Sequence, residues 1–338
     1  MILPLQWNRD SYYVARHILD TLSSKSNLVK KHLEFTFKRA WRGTYSQSAY
    51  EPVSSAWARS YYANGMPKDT KAFQLDQQIY PLLEFADYVQ ATHDIPFALE
   101  YLPRINEVLE MLTYHYAGSV MVDTDETPAD DDIPLPLHFS SHVLLWHTLK
   151  KLVEIYSHRN LSKHQHIGRW INELVHGIRS RFITVHQGKK IYAYAASKED
   201  QNYYFYHDAN DIPLVMMPLW GFCDKDDEIW LNTIEFAFSD ANPGFFDGVL
   251  GSVHTPAPWS LGDAQELIFC KVIGDKARYE RVWQRVEKAA QWDGALPEAY
   301  DAKTGEVVSR HWFAWTNAMI AIADGISWNW ETEGEYAR

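Results

Sequence analysis

The stretch Ala98–Tyr116, ALEYLPRINEVLEMLTYHY, decides the fold class. Within it Ile105, Val108, Leu109 and Leu112 recur at spacings of three and four, which places them on one face of an α-helix. Working outward, the segment 140–157 repeats the pattern with Trp146, Leu149, Val153 and Tyr156. About eleven such segments follow one another, starting near residues 9, 28, 74, 98, 140, 162, 210, 227, 260, 276 and 312. Strand signal is scarce: Lys190–Ala195 (KIYAYA) reads as one strand of a hairpin, and little else alternates. No linker rich in Gly, Pro or Ser divides the chain, so residues 1–338 are expected to form a single, all-α domain. Helices joined by loops of alternating length predict helical hairpins arranged in a ring.

Composition narrows the function. The chain has 338 residues, 46% hydrophobic and 22% charged, enough for a large core and far from the disordered class. A net charge of -12 argues against nucleic acid, whose phosphates need a basic face. The 14 Trp, 20 Tyr and 15 Phe are unusually many; aromatic faces stack on sugar rings, and they also fill cores. Cys223 and Cys270 have neither zinc-motif nor CxxC spacing and read as small buried hydrophobes. The start, Met1 to Leu5, lacks the apolar core and basic flank of a signal peptide, and no run approaches a membrane span. A cytoplasmic location is expected.

Loops carry function on a rigid scaffold, and here the loops 41–73, 118–139, 197–210, 240–260 and 291–312 hold most of the Asp, Glu, Trp and His. Trp7-Asn8-Arg9-Asp10-Ser11 opens the first helix. Asp10 or Ser11 there is either a helix cap or, with Arg9, a grip for sugar hydroxyls. The segment Asp123–Asp132, DTDETPADDD, is either a solvated acidic loop or one that raises the pKa of one carboxyl by crowding others beside it. Leu296-Pro297-Glu298-Ala299-Tyr300-Asp301 precedes the last helix, with Trp292, Trp312 and Trp315 around it in sequence. Glu298 is thereby a candidate base in an aromatic-walled pocket. Two carboxylates on separate loops are what glycoside hydrolysis requires.

At this point the chain resembles glycoside hydrolase family 125, the metal-independent exo-α-mannosidases, and more distantly the family 15 glucoamylase-like enzymes. The longest match runs from His207 to Thr255: Asp208-Ala209-Asn210-Asp211-Ile212-Pro213, Pro218-Leu219-Trp220-Gly221-Phe222, Asn232-Thr233, Asn242-Pro243, Gly248, Gly251 and His254-Thr255. Trp7–Ser11 is similar to the family's W-x-RDS, which implies that Arg9 and Asp10 bind the terminal sugar. Pro128-Ala129-Asp130-Asp131 is similar to its PSDD, which makes Asp130 the implied general acid. Leu296–Tyr300 and Arg310–Asn317 (RHWFAWTN) resemble the closing stretch that carries the base, implying Glu298. Phe73-Gln74-Leu75-Asp76 sits where the family has tyrosine-glutamate-x-aspartate, so Asp76 joins the pocket candidates. The resemblance implies an (α/α)6 barrel and inversion of configuration.

Three departures leave alternatives open. LPEAYD-x-x-TGE is closer to the glucoamylase-like pattern, so the sugar is mannose first and glucose second. Asp131 and Glu126 compete with Asp130 as the acid. The family's W-x-RDS opens the second of twelve helices, whereas here it starts at residue 7. A first helix is therefore missing, or the last turns near Trp328–Tyr336 fill its place.

The expected activity is exo-hydrolysis of a terminal α-mannoside, α-1,6-linked, in a blind pocket. Asp130 is the acid and Glu298 the base, with Arg9, Asp10, Asp76, Asp208, Asn210, His254, Arg310 and Trp312 on the substrate. A glycan is the expected partner, and no cofactor or metal is expected. His164 and His166 flank Gln165 at the wrong spacing for two ligands on one helix face. His17, His32, His115 and His142 read as isolated. The rivals are a non-catalytic carbohydrate-binding relative and a phosphorylase, in which phosphate would replace the base.

Overall fold

The computed structural model describes residues 5–38, 56–69, 72–116, 120–157 and 163–328. Eleven α-helices lie among the described residues: α1 Asn8–Thr21, α2 Ser26–Lys38, α3 Leu75–Thr92, α4 Ile95–Tyr114, α5 Phe139–Ser157, α6 Lys163–Phe182, α7 Ile212–Met216, α8 Glu228–Ala237, α9 Ser260–Ile273, α10 Lys276–Ala289 and α11 Ala314–Gly325. Each opens within three residues of a start expected from apolar spacing. Local chemistry sets several ends. Asp94, Asp227 and Asp275 accept from the backbone N–H of Phe97, Trp230 and Arg278, three residues on. Gly274 closes α9 in the left-handed conformation that lacks a steric penalty only for glycine.

The chain divides into two units, Met1–Arg181 with Ser197–Asp200, and Phe182–Ala196 with Gln201–Arg338. In the first, α3 packs against α1, α2, α4 and α5. Nearly every side chain of α3 is buried, including Asp76, Gln77, Gln78, Glu84 and Asp87. Polar residues there must find partners. Asp87 takes Lys151 Nζ at 2.6 Å, Arg16 Nη1 at 3.2 Å and the Tyr12 hydroxyl at 2.9 Å. Burial alone would push its carboxyl up, but Lys151 and Arg16 outweigh that and hold it well below the usual carboxylate range. One carboxylate thus ties α1, α3 and α5 together.

In the second unit α9 is the buried helix, packed on α7, α10, α11 and the strand Val249–Ser252. By contrast α10 is amphipathic, burying Tyr279, Val282, Val286 and Ala289. In the first unit α5 is likewise largely buried, whereas α6 is a mostly polar helix.

The strand expected over Lys190–Ala195 is shorter than its pattern. Lys189–Tyr192 pairs antiparallel with Ile183–His186, whereas Ala195–Ala196 pairs with Tyr203–Tyr204. Further two- to four-residue strands, such as Phe245–Phe246 with Val249–Ser252 and Ala299–Tyr300 with Val307–Ser309, were too short to show alternation. No described helix is long and apolar enough to cross a membrane. Cys223 and Cys270 are buried free thiols. The side chain of His164, most of the loop 41–73 and the turns after Trp328 lie outside the described residues.

Candidate active site

The residues singled out in the sequence fall into two groups, one in each unit. The first gathers at the start of α1. Trp7 is extended and α1 begins behind it with no side-chain cap. Neither Asp10 nor Ser11 caps the helix: the Ser11 hydroxyl donates to the Trp7 carbonyl at 2.9 Å, and Asp10 pairs with Arg9 Nε at 3.5 Å. Arg9 is buried and donates from Nη1 to Asp76 Oδ2 at 3.0 Å, with Nη2 3.8 Å from Asp130 Oδ1. Burial works against the Arg9 charge, but Asp76, Asp10 and Asp130 outweigh it and raise its pKa. Asp76 is pushed up by burial, with Arg9 opposing.

Asp130 reaches this group by its backbone. Thr127 and Asp131 close a turn (Thr127 N–H to Asp131 O, 2.8 Å) in which Asp130 adopts φ +66°, a left-handed conformation that aspartate tolerates better than most residues. Its Oδ2 accepts from the Trp7 indole N–H at 2.8 Å and its Oδ1 from Gln74 Nε2 at 2.9 Å. The other carboxylates of the acidic loop are drawn elsewhere. Glu126 pairs with Arg59 at 2.7 Å, Asp123 with Lys198, and Asp125 accepts from the Phe73 N–H at 2.7 Å. Of the three competing acids, Asp130 is the one held beside Arg9 and Asp76. Glu126, Asp123 and Asp125 thus each take a separate partner.

The second group is built on a hairpin. Glu298 precedes the strand Ala299–Tyr300, and Arg310 follows Val307–Ser309. The Glu298 N–H donates to the Arg310 carbonyl at 3.1 Å, and its own carbonyl accepts from Ser260 at the start of α9 at 3.2 Å. Glu298 is 3% exposed; Ser309 Oγ donates to Oε2 at 2.6 Å and Arg310 Nη1 to Oε1 at 2.5 Å. Behind it Tyr300 donates to Asp263 Oδ2 at 2.6 Å, and Arg285 Nε donates to Asp263 Oδ1 at 2.6 Å. Sequence reasoning missed Asp263, Arg285 and Ser309. The available signal was the polar content of SLGDAQE within an otherwise apolar helix.

The three tryptophans near Glu298 in sequence differ in exposure. Trp315 is fully buried, whereas Trp292 is 90% exposed and Trp312 63% exposed. Trp292 and His311 lie with ring centroids 6.1 Å apart, and His311 pairs with Asp293 at 3.0 Å.

The long matching stretch has a structural logic of its own. Asp208 is fully buried; it accepts from the Tyr206 hydroxyl on Oδ2 and from Asn210 N (2.9 Å) and Nδ2 (2.8 Å) on Oδ1. Burial, then Asp211, pushes its pKa up. Gln265 of α9 donates to the carbonyls of Asp208 and Ala209, and Asn242 brackets the backbone of His207. Asp208 and Asn210 therefore organise their loop. His254 is exposed in the turn after Val249–Ser252, its N–H donating to Ser252 Oγ at 3.2 Å. Among the described residues no group of three or more His, Cys, Asp or Glu side chains is placed to hold a metal ion.

Comparison with known proteins gives the family and the fold. The family described as metal-independent α-mannosidase (GH125) matches residues 110–323. The meiotically up-regulated gene 157 protein of Schizosaccharomyces pombe is 24% identical over 61% of this chain, which spans 41% of that protein's length. Among solved structures, a metal-independent α-mannosidase of Streptococcus pneumoniae, in a non-productive complex with α-1,6-mannobiose, superposes with TM-score 0.77 at 22% identity. That match covers 95% of this chain and 85% of the other. The glucoamylase of Saccharomycopsis fibuligera matches with TM-score 0.68 at 12% identity over 94% and 85% of the two chains. The chain has the all-α (α/α)6-barrel fold of these structures.

Proposed function

Because the chain belongs to the metal-independent α-mannosidase family GH125 of glycoside hydrolases, we propose that it removes terminal α-linked mannose, from α-1,6 linkages first, as an exo-acting enzyme with inversion. Asp130 gives its proton to the glycosidic oxygen as the bond to the anomeric carbon breaks. Glu298 takes a proton from the water that attacks that carbon from the opposite face. Arg9, Asp10 and Asp76 bind hydroxyls of the terminal sugar, offering donors and acceptors side by side. Arg310, Trp312 and His254 contact the substrate as well. Asp208 and Asn210 act through the loop they hold. Residues 1–338 work in this reading as one cytoplasmic catalytic domain, in keeping with the two free cysteines.

The observation that carries the reading is the buried Arg9–Asp76 pair with Asp130 beside it. A turn in a left-handed conformation brings a carboxyl to a charged, sugar-binding type of cluster, and strained backbone of that kind concentrates at functional sites. The LPEAYD-x-x-TGE stretch and the likeness to glucoamylases favour a second reading, an α-glucosidase using the same two carboxylates.

Sugar release from α-1,6-mannobiose and isomaltose, assayed side by side with the anomer followed by NMR, separates these readings. Mannose appearing first as the β-anomer is the expected result. Glucose would move the enzyme to the glucoamylase side, and α-anomer would overturn inversion. Release of neither sugar would leave a carbohydrate-binding relative.

A further inference from the structure

Both oxygens of Asp130 are met by groups that only donate. The Trp7 indole N–H has no acceptor function at all. The Gln74 amide has one in principle, but its Nε2 also lies 2.5 Å from the Thr127 carbonyl. A carbonyl cannot donate, so the amide cannot turn over and present its oxygen to Thr127 and Asp130. Gln74 is itself buried immediately before α3, where its carbonyl accepts from Gln78 Nε2 at 3.1 Å. Trp7 is fixed by the first turn of α1 through Ser11. The two donors thus come from two different helix starts, and they grip a side chain whose backbone sits at φ +66°.

We propose that Trp7 and Gln74 are positioning residues for Asp130, matched to the carboxylate that remains once its proton has left. The role rests on the reading of Asp130 as the general acid. In the acid step the proton passes from Asp130 to the glycosidic oxygen, the carbon–oxygen bond breaks, and the electron pair stays with the leaving alcohol. Negative charge then develops on the Asp130 oxygens. The indole and amide N–H groups already point at those oxygens, so their hydrogen bonds strengthen as the charge forms and no reorganisation is needed. Because both oxygens keep a donor throughout, the carboxyl also keeps one orientation toward the bond being broken. Arg9 Nη2 lies 3.8 Å from Asp130 Oδ1, and Asp76 and Asp10 face the same guanidinium.

The test exploits the leaving group. A sugar alcohol needs a proton to depart, whereas dinitrophenolate leaves without one. Trp7→Phe and Gln74→Met each delete an N–H while keeping much of the side-chain volume. Rates on α-1,6-mannobiose and on 2,4-dinitrophenyl α-mannoside would be compared for wild type, both variants and Asp130→Ala, or on the matching glucosides if glucose is the sugar taken. Each positioning variant is expected to lose about tenfold or more in kcat on the disaccharide, a fraction of what general acid catalysis supplies. Losses of less than about threefold are expected on the dinitrophenyl substrate and in KM. Equal losses on both substrates, or none on either, would overturn the role. Equal losses for Asp130→Ala would overturn the acid assignment beneath it, and a wild type inactive on both would overturn the hydrolase reading and this role with it. Two variants on different helix starts guard against one simply failing to fold, which thermal melting would reveal.

Discussion

Glu298 and Arg310 are joined twice, by the Glu298 N–H to the Arg310 carbonyl at 3.1 Å and by Arg310 Nη1 to Glu298 Oε1 at 2.5 Å. The backbone bond sets the distance between the two residues, and the side-chain bond then sets the direction of the carboxylate. Ser309 fixes the second oxygen from the same strand. A short hairpin supplies all three groups. Arg310 adopts φ +46°, outside the strand conformation of its neighbours, at the point where its side chain turns toward Glu298.

Glu298→Gln tests the chemistry without disturbing this frame. The amide oxygen can still accept from Arg310, and the amide N–H₂ can donate to Ser309. Turnover on the released-sugar assay should fall by about 10²–10⁴-fold, the range of general acid–base catalysis, while the melting temperature stays close to wild type. A rate within a few-fold of wild type would remove Glu298 from the role of base.

Asp87 should make the first unit acid-sensitive. Its folded-state pKa lies below the ordinary value of 3.8, so the unfolded chain binds the proton more readily than the native one. The stability it contributes is present above that ordinary value and is lost as pH falls below it. Asp87→Asn leaves Lys151 and Arg16 partly buried without their carboxylate and should cost about 3–5 kcal/mol at neutral pH. Urea unfolding at pH 7 and pH 3 checks this: the gap between variant and wild type should narrow at pH 3. A gap independent of pH would mean that the ion pairs do not hold the three helices together.

Helices were legible in the sequence because a three-and-four spacing persists over many turns; α4 and α5 could be read residue by residue. The short strands were not, since two residues cannot display alternation. The acidic loop shows the limit of spacing most clearly. Glu126, Asp130 and Asp131 are equivalent in one dimension, and only the pairing of Glu126 with Arg59 and the left-handed turn at Asp130 distinguish them. Asp208, expected on the sugar, accepts from donors of its own loop, contacts that a fully buried carboxylate needs and that spacing alone does not display. Trp7 and Gln74 stood inside the quoted motifs, but nothing in a sequence shows that two N–H groups converge on one carboxyl.

Gly262, in the first turn of α9, should not tolerate a methyl group. A Cβ there would lie 1.9 Å from the Leu250 carbonyl oxygen and 2.7 Å from its carbon. Helix and strand would have to separate, so Gly262→Ala should cost about 3 kcal/mol or more, at the upper end for overpacking. Ser260, two residues earlier, bonds the Glu298 carbonyl, so the shift should reach Glu298 and, with Glu298 as the proposed base, lower kcat as well as stability. Thermal melting together with the sugar-release rate checks both, and a variant with wild-type stability would contradict the close approach of α9 to Val249–Ser252.

Trp312 and Trp315 are three residues apart and should respond in opposite ways to alanine. Trp315 is fully buried at the start of α11, so Trp315→Ala leaves a large cavity and should cost about 3–5 kcal/mol. Trp312 is 63% exposed, so Trp312→Ala should change stability by no more than about 0.5 kcal/mol. Its effect is expected on substrate instead. An exposed indole two residues beyond Arg310 offers a flat apolar face to a sugar ring, and losing it should raise KM several-fold while leaving kcat nearly unchanged. Denaturation curves separate the two tryptophans, and the KM-against-kcat split decides whether Trp312 binds sugar. If both constants were unchanged, the indole would be a surface residue outside the path of the substrate.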